Sequence, residues 1–202
     1  FIPLAEDSGL IVPMTRALLR QTAAQLAPHA ARFSPGFHIG VNITARHCQD
    51  MALVQDCQEF LAAFPPGQVT LVLELTEREL IEPTETTRRL FEALHQMGVM
   101  IAIDDFGTGH SSLGYLRNFN VDYLKIDQSF VAMIGADALS RHILDSIIEL
   151  SVKLDLGIVA EGVETAQQCE YLVAQGVDFL QGYLFGRPLP CDEFIKSLGI
   201  VE

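Results

Sequence analysis

Short runs of β-branched and aliphatic residues recur near 38–43, 69–75, 99–104, 122–126, 157–161 and 178–184, and after each the apolar residues return at helical spacing. The pattern predicts six β/α units. The clearest helical stretch is SRHILDSIIELSVKLDLG, where Ile143, Ile147, Leu150 and Leu154 share a face and Gly157 supplies a stop. Another helix opens at Thr165, with Gln168 three residues on in the spacing of a capping box. Strands alternating with helices call for a parallel sheet, and no low-complexity linker interrupts the chain, so one α/β domain over residues 1–202 is expected. The first helix, roughly Ile11 to Leu26, has no strand before it. An eight-stranded barrel is therefore two strands short, and the missing ones are expected upstream, because an open parallel sheet leaves unpaired edges and an uncovered core.

The polar residues interrupt this pattern at one recurring place. Asn42 ends HIGVN, Glu74 ends VTLVLE, Asp104 ends MIAID, Lys125 ends YLK, Glu161 ends GIVAE and Gln181 falls late in DFLQ. Any one of these is read equally well as a helix cap or a solvated strand end. All six together suit a (β/α) barrel, where the carboxyl ends of the strands open on one face and carry the active site. Asp104 and Asp105 stand side by side, and two like charges about 4 Å apart repel by roughly 4 kcal/mol at a protein-like dielectric. A cation is expected there. Successive side chains on a strand point to opposite faces, so Asp105 joins Asp104 only if the strand ends at that point, and Gly107 and Gly109 supply the break.

Ligand chemistry narrows the cation. Asn42, Glu74, Asp104, Asp105 and Glu161 offer hard oxygen atoms and no sulfur, which suits Mg²⁺ or Mn²⁺. An Asp104 shared between two ions is the arrangement the doublet permits, and paired ions are recurring machinery for in-line phosphoester hydrolysis. Lys125 is the cation among the strand-end residues: it either donates to a water or a phosphate oxygen, or forms an ordinary ion pair with Glu161 or a neighbouring acid. Glu77 reads as a helix-entry carboxylate at the favourable end of a helix dipole. His47 and His110 lack a second histidine at ligand spacing and read as surface or loop residues.

Composition limits the rest. A chain of 202 residues, 49% hydrophobic and 19% charged, has the makings of one sizeable globular domain, and no apolar run reaches the length of a membrane span. It begins at Phe1 without an initiator Met and is expected to be part of something longer. The net charge of −13 disfavours duplex nucleic acid and anionic lipid as partners. Four cysteines without a CxxC spacing read as reduced thiols in a cytoplasmic setting, which a domain of a membrane-anchored sensor protein would also satisfy.

The motifs FIPLAEDSGLI (1–11), VNIT (41–44), ELTE (74–77), DDFGTGHSSLGYL (104–116), LKID (124–127), AEGVET (160–165) and QGYLFGRPLP (181–190) come in order along the chain. Together they resemble the EAL-domain phosphodiesterases that hydrolyse cyclic di-GMP. The resemblance implies a TIM-type (β/α) barrel, here without its first two strands, and hydrolysis of cyclic di-GMP to linear pGpG with two Mg²⁺ or Mn²⁺ ions. It assigns one ion to Asn42, Glu74 and Asp104 and the other to Asp104, Asp105 and Glu161. Lys125 then orients the attacking water, and Glu77 steadies the loop after Asp105, which with the following helix contributes to a homodimer contact. Pro3, Leu4, Gln181, Gly182 and Tyr183 fall to the substrate. One departure stands out: the Glu-Ala-Leu strand expected upstream of FIPLAE is absent, and with it a further metal-ligand Glu and a substrate-contacting Arg. The alternatives are a non-catalytic cyclic di-GMP-binding or protein-docking module, and a barrel enzyme for another phosphoester.

Overall fold

The computed structural model describes residues 1–76, 81, 83–108, 119–135 and 138–198. In chain order the described elements are α1 (Ile2–Ser8), α2 (Ile11–Leu26), β1 (Phe37–Ile43), α3 (Ala52–Ala62), β2 (Val69–Thr76), α4 (Glu85–Gln96), β3 (Met100–Phe106), β4 (Tyr123–Ile126), α5 (Gln128–Ala132), α6 (Ala138–Lys153), β5 (Gly157–Ala160), α7 (Ala166–Ala174), β6 (Phe179–Leu180) and α8 (Cys191–Ser197). Short 3₁₀ turns follow α2 and β1. The residues divide into two compact units, one drawn from Phe1–Glu74, Glu79–Met100 and Leu189–Glu202, the other from Leu75–Arg78 and Ile101–Pro188.

In the first unit, Gly9 at φ 77 closes α1 and the chain turns at once into α2, which buries Ile11, Thr15, Leu19, Ala23 and Leu26 along one stripe. Arg16 of α2 reaches both carboxylate oxygens of Asp56 on α3, at 2.8 and 3.0 Å, tying the two helices together. Thr84 caps α4 by accepting from the Thr87 amide. Burial of Cys57 pushes its thiol up to about 12, and Asp56 adds to the effect, so this sulfur is inert packing. The four cysteines form no disulfide.

In the second unit, β3, β4, β5 and β6 lie side by side in sequence order, each pair parallel. The starts of the strands are clamped by two aspartates. Asp122 accepts from the Ile101 amide at 2.7 Å and Asp178 accepts from the Ile158 amide at 2.8 Å. Each also donates its own amide to the carbonyl of that same residue. The hydrophobic layer is Ile101, Ile103, Leu124, Ile126, Ile158 and Ala160, all buried.

The structure departs from the sequence pattern in three places. Helix α6 buries Leu144, Ile147, Ile148 and Ser151, whereas Ile143 and Leu154 are exposed. The apolar stripe there is wide, so periodicity finds the helix without fixing which edge of the stripe faces inward. Gly157 opens β5 instead of stopping α6. The stop is made at Asp155, whose φ of 57 turns the chain while the Leu156 amide reaches back to the Ser151 carbonyl. The sixth strand is only Phe179–Leu180, because the chain turns at Gly182, whose carbonyl accepts from the Phe185 amide.

Helices α4, α6 and α7 all end in this way, with an amide reaching back five residues: Val99 to Leu94, Leu156 to Ser151, and Val177 to Leu172. Gly98 and Gly176 take the left-handed position in two of them, and only the third uses a side-chain-bearing residue, Asp155. Asp155→Gly is therefore expected to raise stability by roughly 0.5–1 kcal/mol, the strain relieved outweighing the added freedom of the unfolded chain. A urea titration checks this, with a higher midpoint at unchanged slope as the expected outcome.

Candidate functional site

The aspartate doublet lies inside β3, which runs on through Phe106, so the strand does not end at Asp104 as the alternation argument required. A register shift brings the two side chains together instead. Ile103 pairs with Leu124 and Phe106 with Ile126, so β3 uses three steps where β4 uses two. Asp105 takes φ 55 in this bulge, and its amide donates to the Asp104 carboxylate at 2.8 Å. Gly107 follows at φ 93, where a Cβ would lie 2.9 Å from the Phe130 ring. Gly109 lies outside the described residues.

Lys125, only 3% exposed, points from β4 to this doublet. Its Nζ lies 3.1 Å from Asp104 Oδ2 and 2.7 Å from Glu161 Oε1. Glu161 stands one residue past β5, held there by donation of its amide to the Ile126 carbonyl at 3.1 Å. Asp104, Asp105 and Glu161 offer carboxylate oxygens within 4.8 Å of one another. Three carboxylates thus gather in a place where Asp104 is 8% exposed, two of them paired with the Lys125 ammonium. At an effective dielectric of about 20, carboxylates this close repel by about 3–4 kcal/mol per pair, and the Lys125 ammonium offsets part of that. This all-oxygen donor set fits a hard divalent cation.

The first unit carries the other proposed ligands. Asn42 is exposed near the end of β1 and Glu74 is half-buried on β2. A Cβ on Gly40 would lie 2.3 Å from Glu74 Oε1, so the carboxylate leans across β1 at the glycine. Gly40 and Asn42 are two apart on one strand and share a face, which places Glu74 on the face that Asn42 occupies. The role of Gly40 was legible only as a glycine interrupting a strand.

Pro3 and Leu4 lie on α1, both exposed. In the second unit Gln181 and Tyr183 are exposed, and Gly182 packs against the backbone of Val163. The Arg187 guanidinium sits 4.2 Å above the Tyr183 ring, a pairing that sequence alone does not reveal. Glu77 and His110 lie outside the described residues. His47 is not a surface residue: it is 4% exposed, in the turn after β1, with Nδ1 accepting from the Thr44 amide at 3.0 Å.

Burial lowers the pKa of His47, against weaker opposing contributions from Thr44, Asp56 and Ile11, and burial likewise lowers that of His38. The folded state therefore favours both rings neutral. Their contribution to stability is present above the ordinary value of 6.5 and is lost as the pH falls through the lowered folded values, because the unfolded chain takes up protons first. Melts from pH 7.5 down to 5 are expected to fall less steeply for His47→Gln than for the wild type, with His38 sustaining the remainder.

Comparison with known proteins agrees with the fold. The model of the EAL domain family matches residues 1–188. Among curated relatives, the cyclic di-GMP phosphodiesterase PdeL of Escherichia coli is 47% identical over 98% of this chain and 54% of its own. The probable cyclic di-GMP phosphodiesterase PdeG of the same organism is 45% identical over 98% of this chain and 39% of its own. The chain thus spans about half or less of the length of these relatives. Among solved structures, the PaMucR phosphodiesterase in complex with c-di-GMP superposes with a TM-score of 0.82 at 37% identity, over 96% of this chain and 78% of that one. The EAL enzyme Bd1971 in its cAMP-bound form gives a TM-score of 0.85 at 28% identity, over 98% of this chain and 56% of that one. The expected fold class, α/β of the TIM-barrel type with six β/α units, stands on the six strands and these superpositions. The chain belongs to the EAL domain family.

Proposed function

We propose that this chain is the catalytic part of a cyclic di-GMP phosphodiesterase, which opens one phosphodiester of the cyclic dinucleotide to give linear pGpG. The observation that carries the reading is the gathering of Asp104, Asp105 and Glu161 around buried Lys125. The relatives' activity and the cyclic di-GMP held by a superposed neighbour support it.

Two divalent ions, Mg²⁺ or Mn²⁺, fit the donor chemistry, with Asn42, Glu74 and Asp104 to hold one and Asp104, Asp105 and Glu161 the other. Such ions, when bound, polarise the phosphoryl oxygens and make water a stronger nucleophile at neutral pH. The protein's part is positioning and charge. Lys125 has no acceptor lone pair and is no ligand; its ammonium donates to the attacking water or to a phosphate oxygen, and packing holds it in place. Gln181, Gly182 and Tyr183, with Pro3 and Leu4, take the substrate, the exposed Tyr183 ring offering a stacking face for guanine. The brace role of Glu77 and the homodimer contact are carried over from the resemblance, and Glu77 and residues 109–118 lie outside the described residues. The setting is a cytoplasmic domain, and no described helix is long and apolar enough to cross a membrane.

The alternative reading is a module that binds cyclic di-GMP without cleaving it. A substrate panel decides between them. With Mn²⁺ present, pGpG is expected from cyclic di-GMP, with little turnover of a generic aryl phosphodiester. Tight binding of cyclic di-GMP without product would instead support the module, and turnover of the generic ester alone would support another phosphoesterase.

A further inference from the structure

Resting on the phosphodiesterase reading, we infer that Gly182 is a positioning residue which sets Glu161 against Lys125 by letting the chain after β6 close directly onto the chain after β5. A Cβ at Gly182 would lie 2.2 Å from the Val163 carbonyl oxygen, 2.3 Å from its nitrogen and 2.7 Å from its carbonyl carbon. These are backbone atoms, so no rotamer change relieves the overlap and the peptide itself has to move. The same peptide is held on both sides of the glycine. The Val163 amide donates to the Gln181 carbonyl at 3.0 Å, and the Leu184 amide donates to the Val163 carbonyl at 3.0 Å. Gln181 in turn donates its amide to Ala160, the last residue of β5, at 2.8 Å.

On its other side the Glu161 segment is wedged against the chain after β4. The Glu161 amide is bonded to Ile126, and Gly162, at φ 69, leaves so little room that a Cβ there would lie 2.4 Å from Gln128 Cβ. The segment 161–163 is thus gripped between residues that follow Lys125 and residues that follow Gln181. Its height decides whether Glu161 Oε1 stays 2.7 Å from Lys125 Nζ and within reach of Asp104 and Asp105. A methyl group at 182 displaces Val163, two residues from Glu161, and the carboxylate moves with it.

The test uses the 202-residue chain and Mn²⁺ alone as the probe. Calorimetric titration of Gly182→Ala is expected to show Mn²⁺ affinity weakened roughly 10–100-fold, the size found when groups that orient metal ligands are disturbed. The Mn²⁺ concentration for half-maximal turnover should shift with it. Gly176→Ala is the control: that glycine is left-handed, at φ 81, which Gly182 is not, and has open space around its Cβ position. It should lower the melting temperature and leave Mn²⁺ affinity unchanged. Wild-type Mn²⁺ affinity in Gly182→Ala, or equal weakening in both variants, overturns the positioning role and leaves the phosphodiesterase reading standing. A wild-type chain that binds no Mn²⁺ overturns both. Should Gly182→Ala fail to fold, hydrogen exchange on the wild type decides. Slow exchange of the Val163 and Leu184 amides, slowed further by Mg²⁺, supports the inference, and exchange indifferent to Mg²⁺ contradicts it.

Discussion

Asp104→Asn is expected to leave the fold intact and to lower turnover of cyclic di-GMP roughly a thousandfold or more, the scale of several kcal/mol of lost transition-state charge stabilisation. The amide is nearly the same size and still accepts from the Asp105 amide, so the bulge in β3 survives. What it removes is the charge at the one residue assigned to both ions. Mn²⁺ titration should show weakened binding of both equivalents, and circular dichroism should show unchanged secondary structure. Near wild-type hydrolysis in this variant would sink the two-ion assignment.

Lys125→Ala is expected to separate chemistry from metal binding. Turnover should fall by roughly 10²–10⁴-fold, the usual reach of a positioned group that handles protons or charge in the transition state. Mn²⁺ affinity should change far less, because an ammonium is not a ligand. Stability moves in a distinctive way. Without metal, Asp104 and Glu161 lose their shared counter-ion in a largely buried place, which costs about 3–5 kcal/mol. Mn²⁺ should restore most of the lost melting temperature, since it supplies the missing positive charge. Lost metal binding with intact chemistry would contradict this account.

The first five strands were legible because β-branched runs of ordinary length alternate with helical periodicity, and the structure places them within a residue or two of the sequence reading. The sixth was read too long. DFLQGYLF continues the apolar pattern past Leu180, but the chain there folds onto Val163 at Gly182, and such a backbone approach has no hydrophobic signature. The aspartate doublet was visible and its mechanism was not. Alternation allows adjacent side chains one face only where a strand ends, whereas here a bulge and a left-handed Asp105 achieve it in mid-strand. Lys125 was read either as an ion pair or as a group acting on water or phosphate. The structure shows ion pairs to Asp104 and Glu161, and the role on water or phosphate is the proposal that Lys125→Ala tests. His47 looked like a loop histidine because sequence shows the turn and not the helices that bury it.

The same locality explains which site residues the motifs could name. The carboxyl-end parts of the strands are fixed by pattern, so Asn42, Glu74, Asp104, Lys125 and Glu161 could be proposed from position alone. Glycines such as Gly40 and Gly182 act through what they leave out, and only coordinates show which neighbour fills the space.

The central claim is that this carboxylate cluster works with divalent ions to open cyclic di-GMP, and one titration tests it most directly. Mn²⁺ is added stepwise to chelator-treated protein while pGpG release and bound metal are followed together. The account predicts no product in chelator and turnover that rises to a plateau as two equivalents bind. Product formation in excess chelator, or saturation with Mn²⁺ and cyclic di-GMP without any pGpG, would contradict it.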